Sequence, residues 1–430
     1  MNIAVYTLTS VSEAVLTSPY IVVLLTLIAV LYVRNNRTVT MQKMVIGESI
    51  NTAFELTISQ VVLGILAGAL GSVILSYLGI VFDNEITISL LFMISIILML
   101  FRSRFVCFSY SAGILSIISV IYQIYQRISG NSLVQYSFLK TDVVMIISLV
   151  AVLHVVEGIL VMLDGHRGAI PVFTSKNDKI IGGFALKRYW PIPIAVMFLM
   201  HNISTADTFN VATPNFWPII KSNYFKAAAN IAIDVLPFYG MIGYNSVTFT
   251  KDRKEKTVIS GSLIIIYSLT LFALAQVSVS NLYLQFLVLI FAPAAHEGMI
   301  AFQRYLEMKG SPKYISSDEG IMVLDVAPNS PANEMGIKSG DLLVEVNNAK
   351  IENEEKISEA IRECSNFIWF KVKKVTGKFE QVSYNKLNNE KRLGIVFVPR
   401  GVPKDSMVIK LDETKFGEVL DKIKNKDKDE

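Results

Sequence analysis

The stretch GIMVLDVAPNSPA, residues 320–332, sets the fold of the last third of the chain. Along residues 320–326 the apolar side chains show a partial alternation, a pattern typical of a β-strand. After a turn, Ser330 and Pro331 predict the N-cap and the first position of a short helix. Gly336 is placed to end that helix, because glycine is common just beyond a helix C-terminus. The stretch therefore predicts a strand, a turn and a helix at the start of a folded α+β domain.

The residues that follow continue this pattern to about residue 398. The predicted elements are strands at 342–346, 367–372, 379–384 and 393–398 and a helix at 353–364. This order resembles the bacterial PDZ family, and the segments VAPNSPA (326–332) and GIKSGD (336–341) follow that family's signature. A PDZ domain binds an extended peptide, often a C-terminus, as an extra strand beside a helix. The resemblance therefore implies a peptide-recognition domain at 319–402.

The resemblance also implies where the peptide groove lies. In PDZ domains a glycine-containing loop before the binding strand presents N–H groups to the terminal carboxylate. Here the best match to that loop is at residues 393–395, near the end of the domain, so a circularly permuted PDZ strand order is expected. The expected groove residues are Leu393, Gly394, Ile395, Val396, Phe397, Ile357 and Ile361. The alternative is that residues 393–398 only close the sheet.

The first 302 residues have the composition of a membrane domain. Only 18% of the 430 residues are charged, against about 25% in soluble domains, and the deficit lies in this part. A membrane-spanning helix needs roughly 20 apolar residues. Candidate spans are about 13–33, 57–82, 86–101, 105–125, 142–163, 189–203, 227–249, 257–276 and 279–300. The run at 189–203 contains Pro191 and Pro193, so the expected fold class is a polytopic α-helical domain of eight or nine helices, followed by the PDZ domain.

Short basic clusters between the apolar runs predict the orientation. Lys and Arg are enriched in cytoplasmic loops, and here they follow the odd-numbered spans. This pattern predicts an external N-terminus and a cytoplasmic PDZ domain, with no need for a nucleic-acid partner. The predicted organisation is a membrane domain at 1–302 with a cytoplasmic β-hairpin near 168–188, a linker at 303–318, the PDZ domain at 319–402 and a charged tail at 403–430.

Several ionisable residues fall within the predicted spans, where burying a charge is costly. They are His154, Glu157, Asp234, His296 and Glu297. An ion or transport site is the functional interpretation. The alternative is that these groups make interhelical hydrogen bonds, or that His296 and Glu297 lie close to the membrane surface.

A membrane protein with a PDZ domain also suggests an intramembrane zinc protease of the site-2 type. That class needs H-E-x-x-H on a helix, but the position four residues after His296 is Ile300. The fragment Leu163-Asp164-Gly165 also precedes His296-Glu297 instead of following it. The two cysteines and four histidines include no pair spaced for zinc in the sequence. We therefore expect no catalytic residue, no metal site and no cofactor.

Other segments resemble one family, the MinJ-like topological determinants of cell division in Gram-positive bacteria. They are HVVEG (154–158), GHRGAIPV (165–172), GGF (182–184), YWPIP (189–193) and AHE (295–297), the last leading to GSP (310–312). The resemblance implies a multi-pass adaptor in the cell membrane that links a protein marking the pole or septum to a division-inhibitor ATPase. We therefore predict a scaffold that binds protein partners and the lipid bilayer. The alternatives are a degenerate site-2-like protease and a transporter with a PDZ sensor.

Overall fold

The computed structural model describes residues 2–83, 85–101, 107–129, 142–176, 179–200, 210–220, 232–363, 367–385, 393–400 and 409–410. The helices of its first part are α1 (Ile3–Leu16), α2 (Tyr20–Ile46), α3 (Ala53–Leu78), α4 (Glu85–Phe101), α5 (Phe108–Ser129), α6 (Val143–Asp164), α7 (Arg253–Val277) and α8 (Leu282–Lys309). Among the described residues, six helices are long and apolar enough to cross a membrane: α2, α3, α5, α6, α7 and α8. Length and composition alone support this assignment.

A β-sheet lies among these helices. Its strands are β1 (Val81–Phe82), β2 (Ile170–Lys176), β3 (Lys179–Met200), β4 (Ala232–Thr248), β5 (Tyr314–Ile315) and β12 (Ile409–Lys410). The antiparallel pair of β3 and β4 runs without interruption from the Phe184–Thr248 pair to the Met200–Ala232 pair. The helices predicted at 189–203 and 227–249 are therefore wrong at 189–200 and 232–248, because β3 and β4 occupy those residues. Residues 201–203 and 227–231 lie outside the described residues. The region predicted as a hairpin near 168–188 holds β2 and the first part of β3, which pair antiparallel.

The edge of β3 that faces α3 has few free N–H groups. An unpaired strand edge carries free N–H and C=O groups, which is costly where water is absent. Pro191 and Pro193 have no N–H to satisfy, and the N–H of Ala195 donates to Ser72 Oγ on α3 at 2.8 Å. The edge therefore presents few unsatisfied donors.

Glycines on α3 allow the backbone of β3 to come close. A Cβ placed on Gly64 would lie 2.1 Å from the carbonyl oxygen of Pro191, and one on Gly68 would lie 2.1 Å from that of Pro193. Small residues four apart on a helix are a common means of close packing in membrane proteins. Gly64 and Gly68 thus form a flat contact surface on α3 for the proline-containing edge of β3.

The helices α1–α8 and the sheet among them form the membrane part of the chain. The α6 helix lies at its centre, and most of the residues of α6 are buried. It crosses α7 closely, since a Cβ on Gly158 would lie 2.8 Å from the carbonyl oxygen of Gly261. At its C-terminus, Asp164 is fully buried and forms an ion pair with buried Arg188 of β3. Asp164 Oδ2 also accepts a hydrogen bond from Trp190 Nε1 at 2.8 Å. This buried pair joins the central helix to the long strand.

The C-terminal domain has the elements predicted from the sequence and one further short strand, β8. They are β6 (Ile321–Val326), α9 (Pro331–Glu334), β7 (Leu342–Val346), β8 (Ala349–Lys350), α10 (Glu354–Glu363), β9 (Ile368–Lys373), β10 (Phe379–Tyr384) and β11 (Ile395–Phe397). The sheet order is β10-β9-β7-β6-β11, with β8 paired to β7. The Ser330 hydroxyl accepts from Asn333 N at 3.3 Å, which confirms the predicted N-cap. Gly336 adopts a positive φ of 75° just after α9.

This domain packs on the start of β3. Leu324, Ala327, Val396 and Val398 belong to the same buried cluster as the core of the membrane part. A Cβ on Gly182 of β3 would lie 2.8 Å from Val398 Cγ2, so the glycine makes room for this contact. The short strand β5 pairs with β3 beside it. The two parts of the chain therefore share a continuous apolar core.

Candidate functional site

The predicted groove residues come together at the end strand of the C-terminal sheet. Ile357 of α10 and Leu393 are buried in the core of the domain, while Ile361, Ile395 and Phe397 pack partly exposed against that core. Among the described residues β11 pairs only with β6. A strand with one open edge beside a helix can accept an extended peptide through its backbone groups.

The two faces of β11 have different surroundings, as expected from the alternation of side chains along a strand. Ile395 and Phe397 pack against the core of the domain, which includes Ile357 of α10, whereas Val396 is buried in the cluster shared with the membrane part. The predicted peptide-binding set therefore divides into two groups. Val396 lies on the face that docks the domain, and the flanking residues lie on the face toward the core of the C-terminal domain.

Gly394 has a structural role in the loop before β11. Its φ is 74°, a value that disfavours residues with a side chain, and a Cβ there would lie 2.3 Å from Ser330 Cβ. Its carbonyl accepts from Ala327 N at 2.8 Å, and the carbonyl of Leu393 accepts from Ala332 N at 3.2 Å. The loop is thus fastened to the turn between β6 and α9.

A partly buried charge pair connects the C-terminal domain to α7. Arg253 donates to both carboxylate oxygens of Asp325, with Nη2–Oδ1 at 3.0 Å and Nη1–Oδ2 at 3.2 Å. Burial raises the pKa of the Asp325 carboxyl above its ordinary value, and the neighbouring Arg253 opposes that rise. Arg253 is the first residue of α7, an unfavourable position for a cation with respect to the helix dipole. Its location is explained by Asp325.

We expect Arg253→Gln to loosen the C-terminal domain from the membrane part, because Asp325 would remain buried without its cation. A hydrogen-bonded charged group contributes about 1.5–3 kcal/mol, so amides of β6 and β11 should exchange with solvent correspondingly faster. Hydrogen exchange measured by mass spectrometry tests this. Lys313→Gln is the control, since Lys313 makes partly exposed ion pairs with Asp252 and Glu255 at the same junction. Equal effects of the two variants would contradict the expectation.

A second candidate site is a buried polar cluster, formed by Cys107, His154 and His296. Cys107 immediately precedes α5, His154 lies on α6 and His296 lies on α8. One donor atom from each residue lies within 4.8 Å of those of the other two. Cys107 Sγ is 3.0 Å from His154 Nε2, and the two imidazole ring centres are 5.7 Å apart. Three separate helical segments thus place one thiol and two imidazoles together.

Hydrogen bonds orient both imidazoles. His154 Nδ1 donates to the carbonyl of Val150 at 2.7 Å, so Nε2 is the unprotonated nitrogen in the neutral ring. Tyr110 donates its hydroxyl proton to Glu297, and its oxygen lies 3.3 Å from His296 Nδ1. Because that proton goes to Glu297, His296 Nδ1 must donate to Tyr110. In both histidines Nδ1 is therefore held by a neighbour. His154 Nε2 faces the Cys107 thiol and also lies 3.2 Å from Ser109 Oγ.

The polar cluster opens into a cavity of about 230 Å³. Glu157 lines this cavity, and its Oε2 lies 3.8 Å from His154 Nε2. The cavity continues along one side of β4 from Met241 to Val247 and reaches the buried ion pair of Lys256 and Glu307. It is therefore a cavity between the helices and the strand whose lining combines apolar side chains with a few ionisable groups.

The ionisable residues predicted within spans are brought together only in part. His154, Glu157 and His296 line one cavity, and Glu297 is linked to it through Tyr110. Asp234 lies apart on β4 and accepts a hydrogen bond from Tyr6 at 3.0 Å. Asp164 of the Leu163-Asp164-Gly165 fragment is bound to Arg188 and Trp190. Cys107 is not among the ionisable residues predicted from the sequence, because an isolated cysteine in an apolar run gives no signal of a site.

Comparisons with known proteins agree with the family resemblances. The PDZ domain family matches residues 322–367. The chain is also 29% identical over 103 residues to the cell division topological determinant MinJ of Bacillus subtilis (strain 168). That alignment covers 23% of this chain and 25% of the relative, so it spans about a quarter of the curated protein. The chain thus contains a PDZ domain and is distantly similar to MinJ.

Proposed function

We propose that this chain is a membrane-anchored adaptor that recruits protein partners through its PDZ domain, in cell-division site selection or in localisation to the septum or pole. The observation that carries the proposal is the outer edge of β11, which pairs with no strand among the described residues, with Ile395 and Phe397 packed partly exposed against the core of the domain. The similarity to a cell division topological determinant supports the cellular setting. In this proposal the chain is not an enzyme, and its work is to hold a partner at the membrane.

The proposed ligand is an extended peptide segment or a C-terminus of a protein partner, and the similarity to MinJ points to division-site proteins as the partners. It would add to the outer edge of β11 as a further strand, with apolar side chains against Ile361 and Phe397. This arrangement corresponds to a circularly permuted PDZ groove. The basic loops support a cytoplasmic position for the domain and an external N-terminus.

The proposal predicts that a charge placed on α10 toward the groove will abolish peptide binding. Ile361→Glu puts a carboxylate into an apolar contact, where an unpaired charge is costly, and close to the expected carboxylate of the ligand. We expect affinity to fall by more than about tenfold, equivalent to 1.4 kcal/mol. The measurement is fluorescence polarisation of labelled C-terminal peptides from the cell's division and membrane proteins, with the full chain in detergent micelles.

Arg362→Glu is the matched control, because it introduces the same residue at the next position of α10, on the exposed side. We expect it to bind within about twofold of the unchanged chain, well under the 1.4 kcal/mol that corresponds to tenfold. Gly394 is unsuitable for such a test, since any side chain there collides with Ser330. If no peptide binds the unchanged chain, or if both variants bind equally well, the groove does not act as proposed.

A further inference from the structure

The polar cluster of Cys107, His154 and His296 has the composition of a metal site. A thiolate and imidazoles are the ligands that zinc and similar borderline-soft cations prefer. The three residues lie in segments that are far apart in the sequence, and their donor atoms lie within 4.8 Å of one another. Neither the PDZ domain nor an adaptor role requires such a grouping inside the membrane part.

We propose that Cys107, His154 and His296 bind a divalent metal ion of the zinc class, with Glu157 as the fourth donor on the cavity side.

Two distances to His154 Nε2 are close to those expected between ligands of one tetrahedral site. Zinc–sulfur bonds of about 2.3 Å and zinc–nitrogen bonds of about 2.0–2.1 Å place tetrahedral ligand atoms roughly 3.3–3.6 Å apart. The Cys107 Sγ to His154 Nε2 distance is 3.0 Å, and the Glu157 Oε2 to His154 Nε2 distance is 3.8 Å. Each differs from the tetrahedral spacing by about half an ångström.

The surroundings of the two imidazoles match those of metal-bound histidines. In such histidines the N–H of the second ring nitrogen usually donates a hydrogen bond to a backbone carbonyl, a carboxylate or water, and this contact fixes the tautomer. His154 makes this contact with the carbonyl of Val150. His296 makes it with Tyr110, which is itself bound to Glu297. Glu297 belongs to the fragment that suggested a protease. Here it does not bind the metal but holds Tyr110, which in turn orients the proposed ligand His296.

The cavity gives the ion a path of entry. Glu157 lies on its wall and is only partly buried, whereas His154 and His296 are buried. Metal binding requires the Cys107 thiol to lose its proton, and that proton can leave through the same cavity. The protein would then carry a thiolate, two neutral imidazoles and a carboxylate around the cation, two negative charges that balance its two positive charges.

Cobalt provides a direct test, because Co²⁺ occupies zinc sites and a bond to a thiolate gives a charge-transfer absorption band. We expect the full chain in detergent, stripped by a chelator and titrated with Co²⁺, to develop this band and to lose it when Zn²⁺ is added. We also expect a single zinc ion per chain by elemental analysis after loading with Zn²⁺ and removal of excess metal.

Cys107→Ser should abolish the band, and Cys364→Ser, which changes the other cysteine of the chain, should retain it. Replacing a residue that hydrogen-bonds to a metal ligand lowers the affinity for the metal by about 10–100-fold. Loss of the Cys107 ligand itself should lower the metal affinity by at least that much. Helical circular dichroism checks that the serine variant folds. As a second readout, bound Zn²⁺ should protect Cys107 in the unchanged chain from a maleimide.

The proposal is overturned if the unchanged chain shows no thiolate band with Co²⁺ and retains no zinc. A band that persists in Cys107→Ser and disappears in Cys364→Ser would overturn it equally, because the metal would then lie elsewhere. None of these results depends on peptide binding, so the outcome is independent of the adaptor proposal.

Discussion

Replacing Gly68 by alanine should destabilise the membrane part of the protein by about 1–3 kcal/mol, the usual cost of overpacking a well-packed contact. The added methyl group would lie 2.1 Å from the carbonyl oxygen of Pro193. That oxygen belongs to the backbone of β3, so α3 and the strand would have to separate. The expected result is a lower midpoint in thermal or denaturant unfolding of the full chain in detergent, followed by circular dichroism.

Gly298→Ala provides the control for this experiment. Gly298 also lies within a long helix, α8, but a Cβ there meets no atom within 4 Å. Alanine favours the helix by about 1 kcal/mol over glycine, so this variant should be as stable as the unchanged chain or slightly more stable. If Gly68→Ala and Gly298→Ala shift the unfolding midpoint equally, the contact between α3 and β3 does not limit stability.

Asp164→Asn should have a still larger effect, about 3–5 kcal/mol, because removing one partner of a buried ion pair leaves the other charge uncompensated. The side chains of Asp164 and Arg188 are 0% and 1% exposed. Arg188 also donates to Ser59 Oγ on α3 at 2.7 Å, so the pair holds α6, β3 and α3 together. The same unfolding experiment measures the loss.

Arg167→Gln tests whether burial is the cause. Arg167 contacts the same carboxylate, with Nε 3.5 Å from Asp164 Oδ1, but its side chain is 51% exposed. Ion pairs of exposed cations contribute less than about 1 kcal/mol. A large loss in Arg167→Gln, or a negligible loss in Asp164→Asn, would show that the Asp164–Arg188 contact is not the stabilising one.

The sequence predicted the PDZ domain well because its signals are local. The N-cap at Ser330, the glycine after α9 and the spacing of apolar residues in α10 each depend on neighbouring residues. The long helices were predicted for the same reason, since apolar length is a local property. The mean hydropathy of a segment does not distinguish a helix from a strand, however, and this explains the error at β3 and β4.

The sequence did contain signs of those two strands. Pro191 and Pro193, two residues apart, are unfavourable in a helix interior, and Pro237 with Gly240 and Gly243 gives a similar indication in β4. These residues are acceptable in a strand whose edge is covered by a glycine-containing helix surface. A pattern of apolar residues interrupted by proline and glycine therefore indicated a strand more than a membrane-spanning helix.

The polar cluster could not be predicted from spacing. Known zinc motifs place two ligands a few residues apart, whereas Cys107, His154 and His296 come from three separate helical segments. Only the packing of α5, α6 and α8 brings them together. The expectation of no metal site rested on the sequence spacing alone, and the metal titration proposed above tests it.

The strand β3 is long compared with the thickness of a membrane. Extended backbone rises about 3.3 Å per residue, so the stretch from Gly182 to Met197 is about 50 Å long. Its first end bears the contact with Val398 of the PDZ domain, and its other end pairs with β1 after the C-terminus of α3. The hydrocarbon layer of a membrane is only about 30 Å thick. A single continuous strand thus connects the contact with the PDZ domain to the pairing with β1 over a backbone length greater than the thickness of that layer.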